Sequence, residues 1–107
     1  MLALTQTDLA AFEAAAAKAA TMLRALANER RLLILCQLGA GELSVGVLQE
    51  RLGLSQSVLS QHLGVLREEG VVTTRRQAQT IFYRIADPAA VRIIETLAAI
   101  YCPETSS

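Results

Sequence analysis

Two thiols, one imidazole and a row of amides and hydroxyls are the groups in this 107-residue chain that could bind or react. Cys36 and Cys102 are its only cysteines and His62 is its only histidine. A thiol can be oxidised, can hold a soft metal, or can fill a gap in a helical core as a small hydrophobe. One histidine, two cysteines far apart in the chain and scattered carboxylates match no four-ligand spacing, so no metal site is expected. No glycine-rich phosphate loop is present, no Ser-His-Asp set can be built around His62, and there is no Cys-x-x-Cys. The chain therefore offers no catalytic residue, implies no cofactor and does not read as an enzyme.

Gln56, Ser57, Ser60 and Gln61 suggest recognition instead. They lie in the stretch Ser44 to Gly70, which holds two short helical patterns separated by Gly53-Leu54-Ser55. On a helical wheel, Leu59, Leu63 and Leu66 share one side of the second helix with Val58 and Val65 beside them, and that side should be buried. Gln56, Ser57, Ser60, Gln61 and Gly64 share the other side. A solvated face usually carries Glu and Lys; this one offers groups that both donate and accept hydrogen bonds, as contact with base edges requires. With Ser55 as its cap, the segment predicts a helix-turn-helix whose second helix reads DNA. Taken alone, that helix could equally be an uncharged surface helix of another helical domain. His62 falls between Leu66 and Val58 on the inner side and is expected to pack rather than to touch a base.

The segment that follows favours DNA. After Gly70 the periodicity changes: Val71 to Thr74 have strand-forming side chains, RRQAQ follows, and TIFYRI is again β-branched and aromatic. Two strands with a polar tip form a β-hairpin, which after a reader helix is the wing of a winged helix. The tip lacks the Asn-Gly signal of a tight turn. The formal net charge is zero, so any field that attracts phosphate must be local. Lys18 is the only lysine, and Arg75, Arg76 and Arg84 cluster after the reader. Arg75 and Arg76, expected at the wing tip, are candidate phosphate or minor-groove contacts, for which the planar guanidinium is well suited.

The remaining elements must position these groups. With 52% hydrophobic and 4% aromatic residues, the chain suits one domain, residues 1–107, around an aliphatic, mainly helical core. A first helix is expected over 8–26, with Leu9, Phe12, Ala16, Ala19 and Leu23 at helical spacing and alanine between them. So apolar a helix should pack against more than its own domain, either as a plain core helix or, the reading preferred here, as part of a dimer interface. Asn28 should cap a second helix running to about Leu38 and ending at Gly39-Ala40-Gly41, with Leu32, Leu35, Cys36 and Leu38 or Gly39 inward. Ser44 should cap the first helix of the reader unit, with Val47, Leu48 and Leu52 inward. Asp87-Pro88 should open a last helix over 88–102, with Val91, Ile94, Leu97 or Ala98, and Tyr101 as its apolar stripe, before a frayed tail from Pro103. The expected fold is mainly α (α+β), a winged helix-turn-helix in the order α-α-α-α(reader)-β-β(wing)-α, with the helix-turn-helix at 44–70 and the wing at 71–86. The N-terminus lacks the pattern of a secretory signal and no run is long enough to span a bilayer, so a cytoplasmic location is expected, where cysteines are normally reduced.

From Leu23 to Cys102 the chain resembles the ArsR/SmtB family of bacterial winged-helix repressors. The resemblance is carried by LRALANERRLLIL at Leu23 to Leu35, by ELSVGVLQERLGLSQSVLSQHLGVLREEGVV at Glu42 to Val72, and by TIFYRI at the end of the wing. It implies a homodimer built from the first and last helices, with two reader helices entering successive major grooves of operator DNA. The metal-sensing branches carry cysteines where this chain has Ser44 and Gly46, or histidines along the last helix where it has Asp87 and Glu95 without histidine, so metal sensing is not implied. Cys36 in ILC and Cys102 in IYC are similar to the cysteine pair of the sulfide- and persulfide-responsive branch (SqrR/BigR) and its HlyU-like members. That likeness implies a redox-sensing pair, linked through sulfur when reactive sulfur or oxidant species rise, with release of the operator. At least one of the thiols would then need to be accessible and acidified, by Arg30, Arg31 or Arg92 brought near by folding. Three other outcomes remain open: a regulator with inert cysteines that competes with another DNA-bound protein, a family member with an unrecognised metal site, and a winged helix that serves as a protein-interaction module.

Overall fold

Asn28, Ser44, Ser55 and Asp87 each hold the start of a helix, and together they set the division of the chain. The side chain of Asn28 accepts hydrogen bonds from the amides of Arg30 and Arg31, Ser44 from Val47, Ser55 from Val58 and Asp87 from Ala89. Each satisfies donors that the first turn of a helix leaves without a partner, a contribution of about 1 kcal/mol apiece. In the computed structural model, which describes residues 6–102, the elements are α1 (Gln6–Leu26), α2 (Glu29–Leu38), β1 (Leu43–Ser44), α3 (Val45–Leu52), α4 (Gln56–Glu68), β2 (Val72–Gln77), β3 (Thr80–Ile85) and α5 (Pro88–Tyr101). The frayed tail expected from Pro103 lies outside the described residues.

The winged helix-turn-helix is thus present in the expected order, with one addition. Leu43 and Ser44 form a short strand that pairs antiparallel with β3, Leu43 opposite Tyr83 and Ser44 opposite Phe82. The sheet order is β1-β3-β2, so the wing is a three-stranded sheet whose far edge is the entry to α3.

The core is aliphatic, as the composition implied. Ile34, Leu35 and Leu38 of α2, Leu48 of α3, Leu59, Leu63 and Leu66 of α4, Val71 and Val72, and Ala90 and Ile94 of α5 are buried together with Ala25 and Leu26. Leu66 leads into a Schellman-type stop: Gly70, at φ 76°, donates to Arg67 O, and the Val71 amide donates to Leu66 O at 2.9 Å. Glycine tolerates that left-handed turn, and Val71, fully buried, nails the exit of the reader helix to the core. The Val71 carbonyl in turn accepts the amide of Ala86 at 2.8 Å, which fixes where α5 begins.

Several helical phases differ from the expected ones. Cys36, assigned to the inner side of α2, is exposed, because the buried phase of that helix runs through Ile34, Leu35 and Leu38. Val65 is 36% exposed, at the margin of the reader's buried side. Val47 is only half-buried beside the fully buried Leu48. Tyr101 is 77% exposed, because the last turn of α5 runs past the body of the domain.

The long axis of the molecule is set by α1. The radius of gyration is 15.6 Å, against about 13 Å for a compact chain of this length. From Asp8 to Lys18 every residue of α1 is exposed, and only its last turns reach the core through Met22, Ala25 and Leu26. No helix among the described residues is long and apolar enough to cross a membrane.

Candidate functional site

The reader helix presents the face that its sequence predicts. Leu59, Leu63 and Leu66 are buried, while Gln56, Ser57, Ser60, Gln61 and Gly64 are all exposed. Ser55 caps the helix and its hydroxyl also lies 3.4 Å from that of Ser57. The turn before it depends on Gly53, which ends α3 in the left-handed conformation at φ 65° and donates to Gln49 O. A short, rigid α3–α4 connection of this kind aims the N-terminal turns of α4 outward, where a major groove would meet Gln56 and Ser57 first.

His62 is half-buried on the inner side of α4, as expected. Its Nδ1 lies 3.4 Å from Nη1 of Arg31, whose Nε donates to Ala25 O at 2.6 Å and whose Nη2 donates to Arg24 O at 3.4 Å. Arg31 therefore satisfies carbonyls at the C-terminal end of α1 and bridges from there to the reader helix. Burial, and then the charges of Arg31 and Arg30, hold the imidazole below its ordinary pKa and keep it neutral.

The wing differs from expectation in its arginines. Gln77 pairs with Thr80, so the hairpin turns on only two residues, Ala78 and Gln79. Ala78 takes φ 57°, the left-handed conformation that a glycine would adopt more readily. Arg75 and Arg76 consequently lie within β2 rather than at the tip, opposite Phe82 and Ile81, and alternate between the two faces of the sheet. Both are exposed, and their surroundings diverge. Arg75 places its guanidinium 4.5 Å from the centre of the Phe82 ring, donates from Nε to both carboxylate oxygens of Glu42 at 2.8 and 2.9 Å, and donates from Nη1 to Gln77 Oε1 at 2.9 Å. Arg84, opposite Thr73, is exposed on β3.

The two cysteines lie on helices that pack against each other, α2 and α5. Cys36 lies in the third turn of α2, and Cys102 caps the end of α5, its amide donating to Ala98 O at 2.8 Å. Both are exposed thiols. The Cys36 thiol is pushed above its ordinary pKa, first by burial and then by the charge of Cys102. Cys36 is open to solvent by area, yet its sulfur is partly desolvated, so it reacts from a mostly protonated state. The expected acidification by a neighbouring arginine does not occur at Cys36. Among the described residues, no three His, Cys, Asp or Glu side chains are grouped as metal ligands would be.

A third surface was foreseen only in part. Leu9, Phe12 and Leu23 of α1 are 47%, 56% and 56% exposed. Phe12, Ala19, Met22 and Leu23 line, with Ala89 and Ile93 of α5, a groove of about 680 Å³ between the first and last helices. The apolar period of α1 gave its own share of this surface; the half contributed by α5 was implied by the family resemblance and not by any local pattern.

Residues 28–74 match the model of the bacterial regulatory protein, arsR family. The chain is 53% identical over 95 residues to the transcriptional activator HlyU of Vibrio cholerae, covering 89% of this chain and 88% of that protein. It superposes on the transcriptional repressor BigR of Xylella fastidiosa with a TM-score of 0.83 at 41% identity, covering 92% of this chain and 98% of the other. A more distant solution structure, a homodimeric winged helix-turn-helix DNA-binding domain from Mycobacterium bovis described as a possible ArsR-family transcriptional regulator, matches with a TM-score of 0.71 at 29% identity over 94% of this chain and 89% of that one.

Proposed function

The chain belongs to the arsR family of bacterial regulatory proteins, whose members are transcriptional regulators, and from that premise we propose a dimeric repressor whose hold on operator DNA is set by the thiol state of Cys36 and Cys102. The observation that carries this reading is the packing of α5 on α2, with one exposed thiol on the helix that braces the reader and the other at the end of the last helix.

The second copy covers the apolar faces of α1 and α5. Exposed apolar side chains along more than ten residues of α1 support it, as does the homodimeric state of the Mycobacterium bovis domain. Two reader helices related by a two-fold axis then sit about one DNA turn apart, roughly 34 Å. Gln56, Ser57, Ser60 and Gln61 meet base edges, and Arg76 meets the phosphate backbone. The protein acts in the cytoplasm, without a catalytic step.

The thiols respond to an organic persulfide or a comparable oxidant. One cysteine thiolate attacks the outer sulfur of the persulfide and releases its thiol, leaving a cysteine persulfide on the protein. The second thiolate attacks the cysteine-bound sulfur of that group, closing a Cys36–Cys102 disulfide and expelling hydrosulfide. Two protein thiols are oxidised; the persulfide is reduced to one thiol and one hydrogen sulfide. Tying the end of α5 to α2 shifts α2, and Arg31 with it, against the reader helix, and so moves the two readers relative to each other. A coupling of about 1–3 kcal/mol is enough to change operator occupancy about 5- to 150-fold.

The test is operator binding by reduced and persulfide-treated protein, with Cys36→Ser and Cys102→Ser as controls. Loss of affinity on treatment in the wild type alone supports the reading; unchanged affinity refutes the sensing role while leaving DNA binding intact. A second reading is favoured by the activator named among the relatives: a regulator that displaces another DNA-bound protein, with cysteines that play no part. In that case both serine variants behave as wild type before and after treatment.

A further inference from the structure

The two arginines on β2 have different surroundings, and the difference assigns them different tasks. Sheet order and register place Ser44, Phe82 and Arg75 in one row across three neighbouring strands, with Glu42 immediately before β1. Ser44 of β1 is opposite Phe82, Phe82 is opposite Arg75, and Glu42 shares the face of Ser44 by alternation. The Arg75 side chain therefore lies over the Phe82 ring of the middle strand and meets the Glu42 carboxylate there, so that the two side chains together bridge the width of the sheet. It ends in a forked ion pair, with Nη2 to Glu42 Oε1 at 2.7 Å and Nε to both oxygens. An exposed ion pair ordinarily contributes little. This one is bidentate, stacked on an aromatic ring and further held by Gln77, which is the arrangement in which a surface arginine stays in a single geometry.

We propose that Arg75 is a positioning residue for DNA binding rather than a phosphate contact: through Glu42 it clamps the wing to the junction between α2 and the helix-turn-helix. Glu42 immediately precedes β1, and Ser44 of β1 caps α3, so the clamp fixes the attitude of the wing relative to the reader unit. Glu42 occupies the guanidinium edge that a phosphate would need. Arg76, on the opposite face of the strand, is left to meet the backbone. The inference rests on the DNA-binding reading above and refines it.

The experiment measures affinity for a duplex selected by the wild-type protein from random-sequence DNA, at several salt concentrations. The proteins are the wild type, Glu42→Gln, Arg75→Gln, the double variant and Arg76→Gln, each also followed by thermal unfolding. The clamp predicts that Glu42→Gln and Arg75→Gln each weaken binding about 3- to 10-fold, that the double variant is no weaker than either, and that all three keep the wild-type salt slope and melt close to the wild type. Arg76→Gln alone should lower the slope of log K against log salt by about 0.9. A Glu42→Gln variant that binds tighter than the wild type, or an Arg75→Gln variant that loses about one unit of salt slope, overturns the proposal, since either means that Arg75 is used on phosphate. If the wild type selects no duplex and shows no salt-dependent binding, the DNA-binding reading falls and the clamp with it. If the wild type binds and the Glu42 and Arg75 variants are indistinguishable from it, the clamp alone fails.

Discussion

Arg31 and His62 join the helix that carries Cys36 to the helix that reads DNA: Arg31 Nη1 stands 3.4 Å from His62 Nδ1 while Arg31 Nε donates to Ala25 O at 2.6 Å. A guanidinium can only donate, so Nδ1 accepts and the neutral imidazole carries its proton on Nε2. Three helices thus meet at one side chain. A displacement of α2 reaches α4 through this contact as well as through the shared apolar core.

His62 gives this junction a pH dependence whose sign is fixed. Its folded-state pKa lies below the ordinary 6.5 because burial, Arg31 and Arg30 all disfavour the cation. As pH falls through 6.5, the unfolded chain takes up this proton before the folded one does, so stability declines, and the decline ends once the folded form also protonates. Denaturant midpoints between pH 7.5 and 5.5 should fall in the wild type and stay flatter in His62→Gln. Equal slopes would show that folding does not depress the pKa of the imidazole.

The groove between α1 and α5 predicts the assembly. Phe12→Ser with Leu23→Ser should convert the dimer to a monomer in sedimentation experiments. Each apolar side chain contributes about 1.5–3 kcal/mol on burial and a two-fold interface counts each twice. The dimer constant should therefore weaken by at least on the order of 100-fold. Their exposure in the single chain means that folding itself should be little affected. A double variant that stays dimeric would place the interface elsewhere.

At the cysteines, the second cause of the raised Cys36 pKa can be removed by itself. Cys102→Ser takes away the neighbouring charge and leaves burial, the larger cause, in place. The pH midpoint for alkylation of Cys36 by iodoacetamide should move down in this variant while remaining above that of an unperturbed thiol. A midpoint unchanged from the wild type would mean that the two sulfurs do not interact in solution.

Much of this architecture was legible in the sequence because it is encoded locally. Asn28, Ser44, Ser55 and Asp87 are caps that can be read one residue at a time, and the leucines of α4 fix their own buried face. Features that depend on tertiary partners were not legible. The two-residue strand Leu43–Ser44 is too short to show alternation and exists only because β3 lies beside it. Arg75 and Arg76 looked like tip residues because Ala78-Gln79 lacks a turn signature; the pairing of β2 with β3 enforces a tight turn with Ala78 at positive φ. Cys36 looked internal because ten residues of α2 give an imprecise wheel, and the observed phase through Ile34, Leu35 and Leu38 turns it outward. The packing of α5, which ends at Cys102, on α2 is specified by no local pattern, and a pairing of the two cysteines was implied by the family resemblance alone.

The most direct test of thiol control couples two readings on one sample. Protein bound to a fluorescent duplex selected by the wild type is titrated with an organic persulfide, and at each step the released fraction and the fraction of Cys36–Cys102 linked peptide are measured together, the latter by mass spectrometry. The account predicts that release rises in proportion to linkage, that reduction with dithiothreitol reverses both, and that Cys36→Ser and Cys102→Ser remain bound throughout. Linked protein that stays on the duplex, or release by either serine variant, would contradict it.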